Sequence, residues 1–135
     1  MLLNIDYNQE NVRVIKGKLK SFIPLEYGAV VEAKRGLDEI LIAAHLANVS
    51  FKNKSNIGKT IGMEFLLWLN RTRHINKALP HIRERDEVYC VIFKELKEDI
   101  EKYLSSPKEI DIGNVSLNIN DWKTIEEISL SRIKK

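Results

Sequence analysis

The sequence predicts an α+β domain, a small mixed or antiparallel β-sheet packed with several helices. Three observations carry that prediction. Patterned segments run in the order strand, strand, helices, strand, helix, strand, helix, which is not the regular βαβ alternation of a parallel sheet. Residues Ile40–Phe51 contain no Asp, Glu, Lys or Arg, as expected of a helix buried on several sides. Glu87-Val88-Tyr89-Cys90-Val91-Ile92-Phe93 is rich in β-branched and aromatic residues, the composition of a strand. The 135 residues suffice for one domain and not for two ordinary ones, so residues 1–135 are read as a single domain.

Each element has its own local reason. Val12 and Val14 alternate within Asn11–Leu19, giving a first strand with Arg13 and Lys16 toward solvent. Pro24 argues against a continuous helix through Phe22–Tyr27. Gly28–Ala33 reads as a second strand and Arg35-Gly36 as a turn, after which Asp38 and Glu39 suit the positive end of a helix. Lys52-Asn53-Lys54-Ser55-Asn56 is a polar connection to a second helix, expected from about Ile57 to Asn70. Ile61, Phe65, Trp68 and Leu69 line one face of it, with Met63, Leu66 and Leu67 on much of the other. Arg73–Leu79 fits one or two further helical turns before Pro80. Leu96, Ile100, Tyr103 and Leu104 have the spacing of an amphipathic surface helix over Lys94–Leu104, ended by Ser105-Ser106-Pro107. Val115, Leu117 and Ile119 alternate as an edge strand, and Asn120 or Asp121 can cap a final helix.

Composition excludes several classes. At 44% hydrophobic and 30% charged, with 6 Gly and 3 Pro, the chain can bury a core and is neither disordered nor collagen-like. The lone Cys90 excludes an internal disulfide framework and fits a reducing compartment. No apolar run approaches the roughly 20 residues that span a bilayer, and Met1–Tyr7 does not read as a signal peptide. A soluble cytoplasmic domain without membrane contact is expected.

The net charge of +3 conceals a gradient. Residues 1–39 are neutral. Residues 40–85 hold Lys52, Lys54, Lys59, Arg71, Arg73, Lys77, Arg83 and Arg85 against Glu64 and Glu84, an excess of +6, and residues 86–135 carry −3. Such an excess can attract a polyanion. Equally, it can be a solvated face whose counter-charges come from the acidic last third.

Few constellations suggest catalysis. Gly58-Lys59-Thr60 resembles the end of a phosphate-binding loop, but Asn53 stands where the earlier glycine belongs and no strand precedes it. Gly58 and Gly62 read better as places of close helix contact. His45, His74 and His81 do not form a metal site: His45 lies in the most apolar segment, and Pro80 separates the other two. Cys90 reads as a small buried hydrophobe, and Glu64 as a salt-bridge partner of Arg71 or Arg73. No nucleophile, base and oxyanion donor assemble, so no enzyme, cofactor or metal is expected.

One constellation remains. The hydrophobic stretch Asn56–Leu69 runs directly into Asn70-Arg71-Thr72-Arg73-His74-Ile75-Asn76-Lys77-Ala78-Leu79. With Lys59 at the other end of the helix, Arg71, Arg73, His74 and Lys77 can grip phosphates, and Arg73 and His74 can stack on or bond to bases. The plainer alternative is cations satisfying a helix dipole. Asn56, Ile57, Lys59, Met63, Glu64, Leu66, Leu67 and Leu69, then Arg73, Ile75, Ala78 and Leu79, fit the pattern N-I-x-K-x-x-x-M-E-x-L-L-x-L followed by R-Q-I-x-x-A-[IL]. In this the chain resembles the kinase-binding small subunit of the KEOPS tRNA-modification complex. The likeness is most specific over about residues 55–79. His74 stands where that family usually has Gln, and Arg71 where a small turn residue is common.

The resemblance implies a non-catalytic subunit. KEOPS installs a threonylcarbamoyl group on the adenosine next to the anticodon. Its chemistry lies in a threonylcarbamoyltransferase subunit beside a small kinase/ATPase subunit, and members of this family bind that kinase and help hold the tRNA by its 3′ end. Lys59, Arg71, Arg73, His74 and Lys77 are then the expected RNA contacts, and Met63 and Leu67 the expected kinase contacts. Two alternatives remain open: a protein-binding regulatory module of the kinase that never touches RNA, and a small-molecule enzyme with Glu64, His45 or Cys90 in a pocket.

Overall fold

A computed structural model describes residues 11–112 throughout and the backbone of residues 2–6 and 114–118. In chain order the elements are β1 (Leu2–Asp6), β2 (Arg13–Leu19), β3 (Gly28–Glu32), α1 (Leu37–Lys52), α2 (Ile61–Leu69), α3 (Ile75–Ala78), β4 (Glu87–Ile92), a 3-10 turn at Ile100–Lys102, β5 (Leu104–Ile110) and β6 (Asn114–Asn118). The fold is α+β. Its main sheet has the order β3-β4-β2-β5 and is antiparallel at each pairing, while β1 and β6 form a separate antiparallel ribbon.

The inner part of the sheet is buried on both faces, which is why β3 and β4 read as apolar runs. Val14, Ala29, Val31, Val91 and Phe93 point to the side covered by α1 and α2. Ile15, Leu19, Val30, Val88, Cys90 and Ile92 point to the other, where Ile23, Tyr103 and Leu104 cover them and Ile82, Leu96 and Ile100 pack against the edge. The charge-free segment forms the middle of α1, with Ile40–Ala44 and Ala47 all buried. Phe65 of α2 meets Phe93 with ring centroids 5.7 Å apart and tilted planes, a favourable aromatic geometry.

Two glycines set how α2 meets the sheet. The Gly62 N–H donates to the Leu25 carbonyl at 2.9 Å. A Cβ on Gly62 would overlap the Gly28 carbonyl oxygen and lie 2.6 Å from that of Leu25, and one on Gly28 would overlap the Val91 carbonyl. The first turn of α2 therefore rests directly on the backbone where β3 begins.

Three expectations are corrected. The second helix starts at Ile61, not Ile57, because Thr60 caps it by accepting the Met63 N–H at 3.2 Å and the residues before fold into a loop. Lys94–Leu104 is not a helix: only Ile100–Lys102 makes a 3-10 turn. Its apolar residues do face the core, but the Tyr103 carbonyl accepts the Lys20 and Ser21 N–H groups, tying the segment to the end of β2. Ser105-Ser106-Pro107 ends no helix and lies inside β5. There Gly17 faces two residues, with the register shifting between Lys16 and Lys18, and Ser106 has φ 50°. Proline is tolerated because β5 is an edge strand and the irregularity is a β-bulge. Val115 and Leu117 lie in β6, paired with β1, a strand that no pattern in the sequence announces, while Ile119 lies outside the described residues. The capped final helix at Asn120 or Asp121 lies outside the described residues. Among the described residues no helix is long and apolar enough to cross a membrane.

Gly62→Ala must push α2 off β3, and it should cost about 3 kcal/mol or more. Gly36→Ala, whose Cβ would meet nothing nearer than 3.8 Å, should cost under about 1 kcal/mol. Urea denaturation of the two variants checks the difference.

Candidate nucleic-acid interface

The basic segment begins where α2 ends. Thr72 N–H donates to the Leu67 carbonyl at 3.1 Å and Arg71 N–H to that of Trp68 at 3.3 Å, the paired bonds of a Schellman motif. Its left-handed position is held by Arg71, at φ 52°, a place that glycine occupies at lowest cost. That explains why a small turn residue suits the position. Asn70 brackets the turn: its Nδ2 donates to the Leu66 and Ala78 carbonyls at 2.9 and 3.0 Å, while its Oδ1 accepts from Arg35 at 3.0 Å. One side chain thus fixes α2, α3 and an arginine from 35 residues upstream. The Thr72 hydroxyl accepts the His74 N–H at 3.1 Å and sets the start of α3.

This architecture gathers four of the five expected RNA contacts. Arg71, Arg73, His74 and Lys77 lie on or beside the turn between α2 and α3, with His74 and Lys77 exposed and Arg73 half-buried. Lys59 is exposed but precedes α2, and a nine-residue helix of about 13 Å separates it from the cluster. Arg35 and His81 join instead. They line a cavity of about 220 Å³ together with Glu32, Asn70 and Lys77. Sequence reasoning gave Arg35 only a turn, since nothing local signals its arrival beside Asn70.

Part of the counter-charge comes from α1. Glu39 lies 3.3 Å from Arg71 and 3.9 Å from Arg35. All three groups are about a third exposed, so these pairs orient the arginines more than they stabilise the fold.

Glu64, expected to pair with Arg71 or Arg73, has another task. It is fully buried, and its Oε1 accepts the N–H groups of Ile57 and Gly58 at 3.0 and 2.9 Å. With the Asn56 Nδ2 bonded to the Gly58 carbonyl at 2.8 Å, this folds the Lys59 loop back onto the first turn of α2. Of the expected kinase contacts, Met63 is half-buried, whereas Leu67 is 2% exposed within the helix-side core. Leu67 is therefore unavailable as a surface contact in this fold, because α2 is packed on both of its apolar faces.

The residues of the small-molecule alternative do not converge. Cys90 lies on the sheet face away from α1 and α2, where burial pushes its thiol up to about 12. Glu64 is sealed under its loop, and His45 is a half-buried residue of α1, not a fully buried core histidine. None of the three lines the cavities around Leu79, Glu32 or Phe93.

No protein-family model and no curated protein sequence matches the chain. Residues 55–79 build the loop, helix and turn just described.

Two outcomes follow. Arg71→Gly relieves the left-handed backbone and should leave stability unchanged or raise it by up to about 1 kcal/mol, read by thermal unfolding. Cys90 stays protonated in the fold and ionises near its ordinary value when unfolded. Its contribution to stability is thus complete below about pH 8.5 and is lost as pH rises toward 12. Thiolate absorbance should be absent from the native protein at pH 9.5 and present in denaturant.

Proposed function

We propose that this chain is a non-catalytic subunit of a KEOPS-type assembly that binds the kinase/ATPase subunit and helps hold tRNA for threonylcarbamoylation next to the anticodon. The observation that carries the reading is the convergence of Arg71, Arg73, His74 and Lys77 with Arg35 at one end of α2, within the stretch that resembles the family's small subunit. Arginine and lysine side chains so placed can neutralise backbone phosphates. Arg73 and His74, flanking the start of α3, are the groups offered to an unpaired nucleotide. Lys59 serves as a separate contact farther along the RNA. Met63 is the remaining candidate for kinase contact on α2, and the kinase links the chain to the threonylcarbamoyltransferase subunit.

A second reading draws on Glu39, which already neutralises part of the cluster. In it the basic end meets an acidic patch on the kinase, and RNA is never touched. Isolated tRNA without any partner separates the two.

The double reversal Arg71→Glu/Arg73→Glu should weaken tRNA binding by about tenfold or more in a low-salt filter assay, and should flatten the salt dependence. Arg71→Gly should weaken it less while leaving the fold intact. Unchanged affinity in the double variant removes the RNA site and favours the protein-only reading.

A further inference from the structure

The most apolar cavity among those described lies next to the basic one and shares three walls with it. It has a volume of about 280 Å³ and is lined by Phe22, Leu25, Val30, Leu66, Leu79 and Pro80, among others. Leu66, Leu79 and Pro80 also line the cavity that holds Arg35, Lys77 and His81. The strap Leu79–His81 therefore has an apolar hollow on one side and a cationic one on the other. Phe22 and Leu79 are 51% and 45% exposed, although large hydrophobic side chains gain by burial.

The backbone of β3 adds polar capacity. Ala33 N–H donates to Glu87 O and Phe93 N–H to Tyr27 O, so in the β3–β4 register the odd-numbered residues of β3 bond to β4. The Val30 N–H and C=O consequently point away from β4 at the outer edge of the sheet, and Val30 also lines the apolar cavity. The cationic side is prepared as well. Arg35 is held by the Asn70 side chain and the Leu69 carbonyl at 3.0 and 3.1 Å, and Glu32 is already paired with Lys34 at 2.9 Å.

We propose that these two cavities form one docking groove for an extended acidic peptide of a partner protein. A bulky apolar side chain enters the Phe22–Leu79 cavity, and a carboxylate within two residues of it meets Arg35, Lys77 and His81. Charge complementarity selects the acidic partner, and the aliphatic lining with main-chain groups at a strand edge selects a peptide. RNA fits less well, because the apolar wall offers one aromatic ring, Phe22, for stacking. The groove shares Arg35 and Lys77 with the proposed tRNA site, and its apolar half, from Phe22 to Leu79, lies outside that site.

Selection of a random twelve-residue peptide library on the full chain, followed by fluorescence polarisation of the enriched peptide, tests this. Enriched sequences should place Asp or Glu within two residues of Leu, Ile, Met or Phe. Leu79→Ser and Phe22→Ser should each weaken the peptide by about tenfold. Lys77→Glu should weaken it about fivefold and restore binding to a peptide whose carboxylate is replaced by Lys. tRNA affinity should be unchanged in Leu79→Ser, so this groove and the RNA site fail separately. The proposal is overturned by no enrichment, by enrichment of basic or uncharged sequences, or by equal peptide binding to Leu79→Ser. It is also overturned if Leu79→Ser loses single-stranded oligoadenylate instead of peptide, since the cavity would then belong to RNA.

Discussion

The contact on which the rest depends is the backbone approach of α2 to the start of β3. Gly62 leaves no room for a side chain between its helix and the Gly28 and Leu25 carbonyls, and its N–H is bonded to Leu25. With α2 pressed this close, Phe65 reaches Phe93 and the helix buries its residues from Ile61 to Leu69 with the sole exception of Met63. The same placement fixes both ends of the helix. At its beginning the Glu64 carboxylate gathers the Ile57 and Gly58 amides, and at its end Asn70 holds the turn, α3 and Arg35. A glycine contact on the sheet thus determines where the cations stand.

Much of this fold was legible because its strongest signals are compositional. A charge-free segment reads as an interior helix and Glu87–Phe93 as an interior strand, and in the fold α1 buries Ile40–Ala44, Ala47 and Ser50 while β4 buries Val88 and Cys90–Ile92. The Lys94–Leu104 segment misleads for a physical reason. Its apolar residues do cover the sheet, and Glu98 and Lys102 do form an i,i+4 ion pair. Yet its backbone bonds are claimed by β2 instead of by a helix. β5 was illegible because Pro107 and Ser106 read as a break, and only an edge strand with a bulge accommodates them.

The site was legible in part. The sequence puts Arg71, Arg73, His74 and Lys77 together because they are close in the chain. It cannot bring in Arg35 or Glu39, which arrive through tertiary packing. Nor can it tell a helix with one face reserved for a partner from one covered on both faces, and the buried Leu67 shows that α2 is covered. Glu64 has a partner that the sequence does not suggest: its burial follows from the loop that the early glycine, Gly58, allows to fold back.

On the proposed reading, RNA is held at the turn between α2 and α3, braced by Asn70 and flanked by Arg35. The most direct measurement is a backbone amide NMR titration of the isolated chain with deacylated tRNA at low salt. The largest shifts should fall at Arg71–Ala78 with a second, smaller set at Lys59, and Cys90 and its sheet neighbours should stay unmoved. Shifts confined to another surface, or none at saturating tRNA, would contradict it.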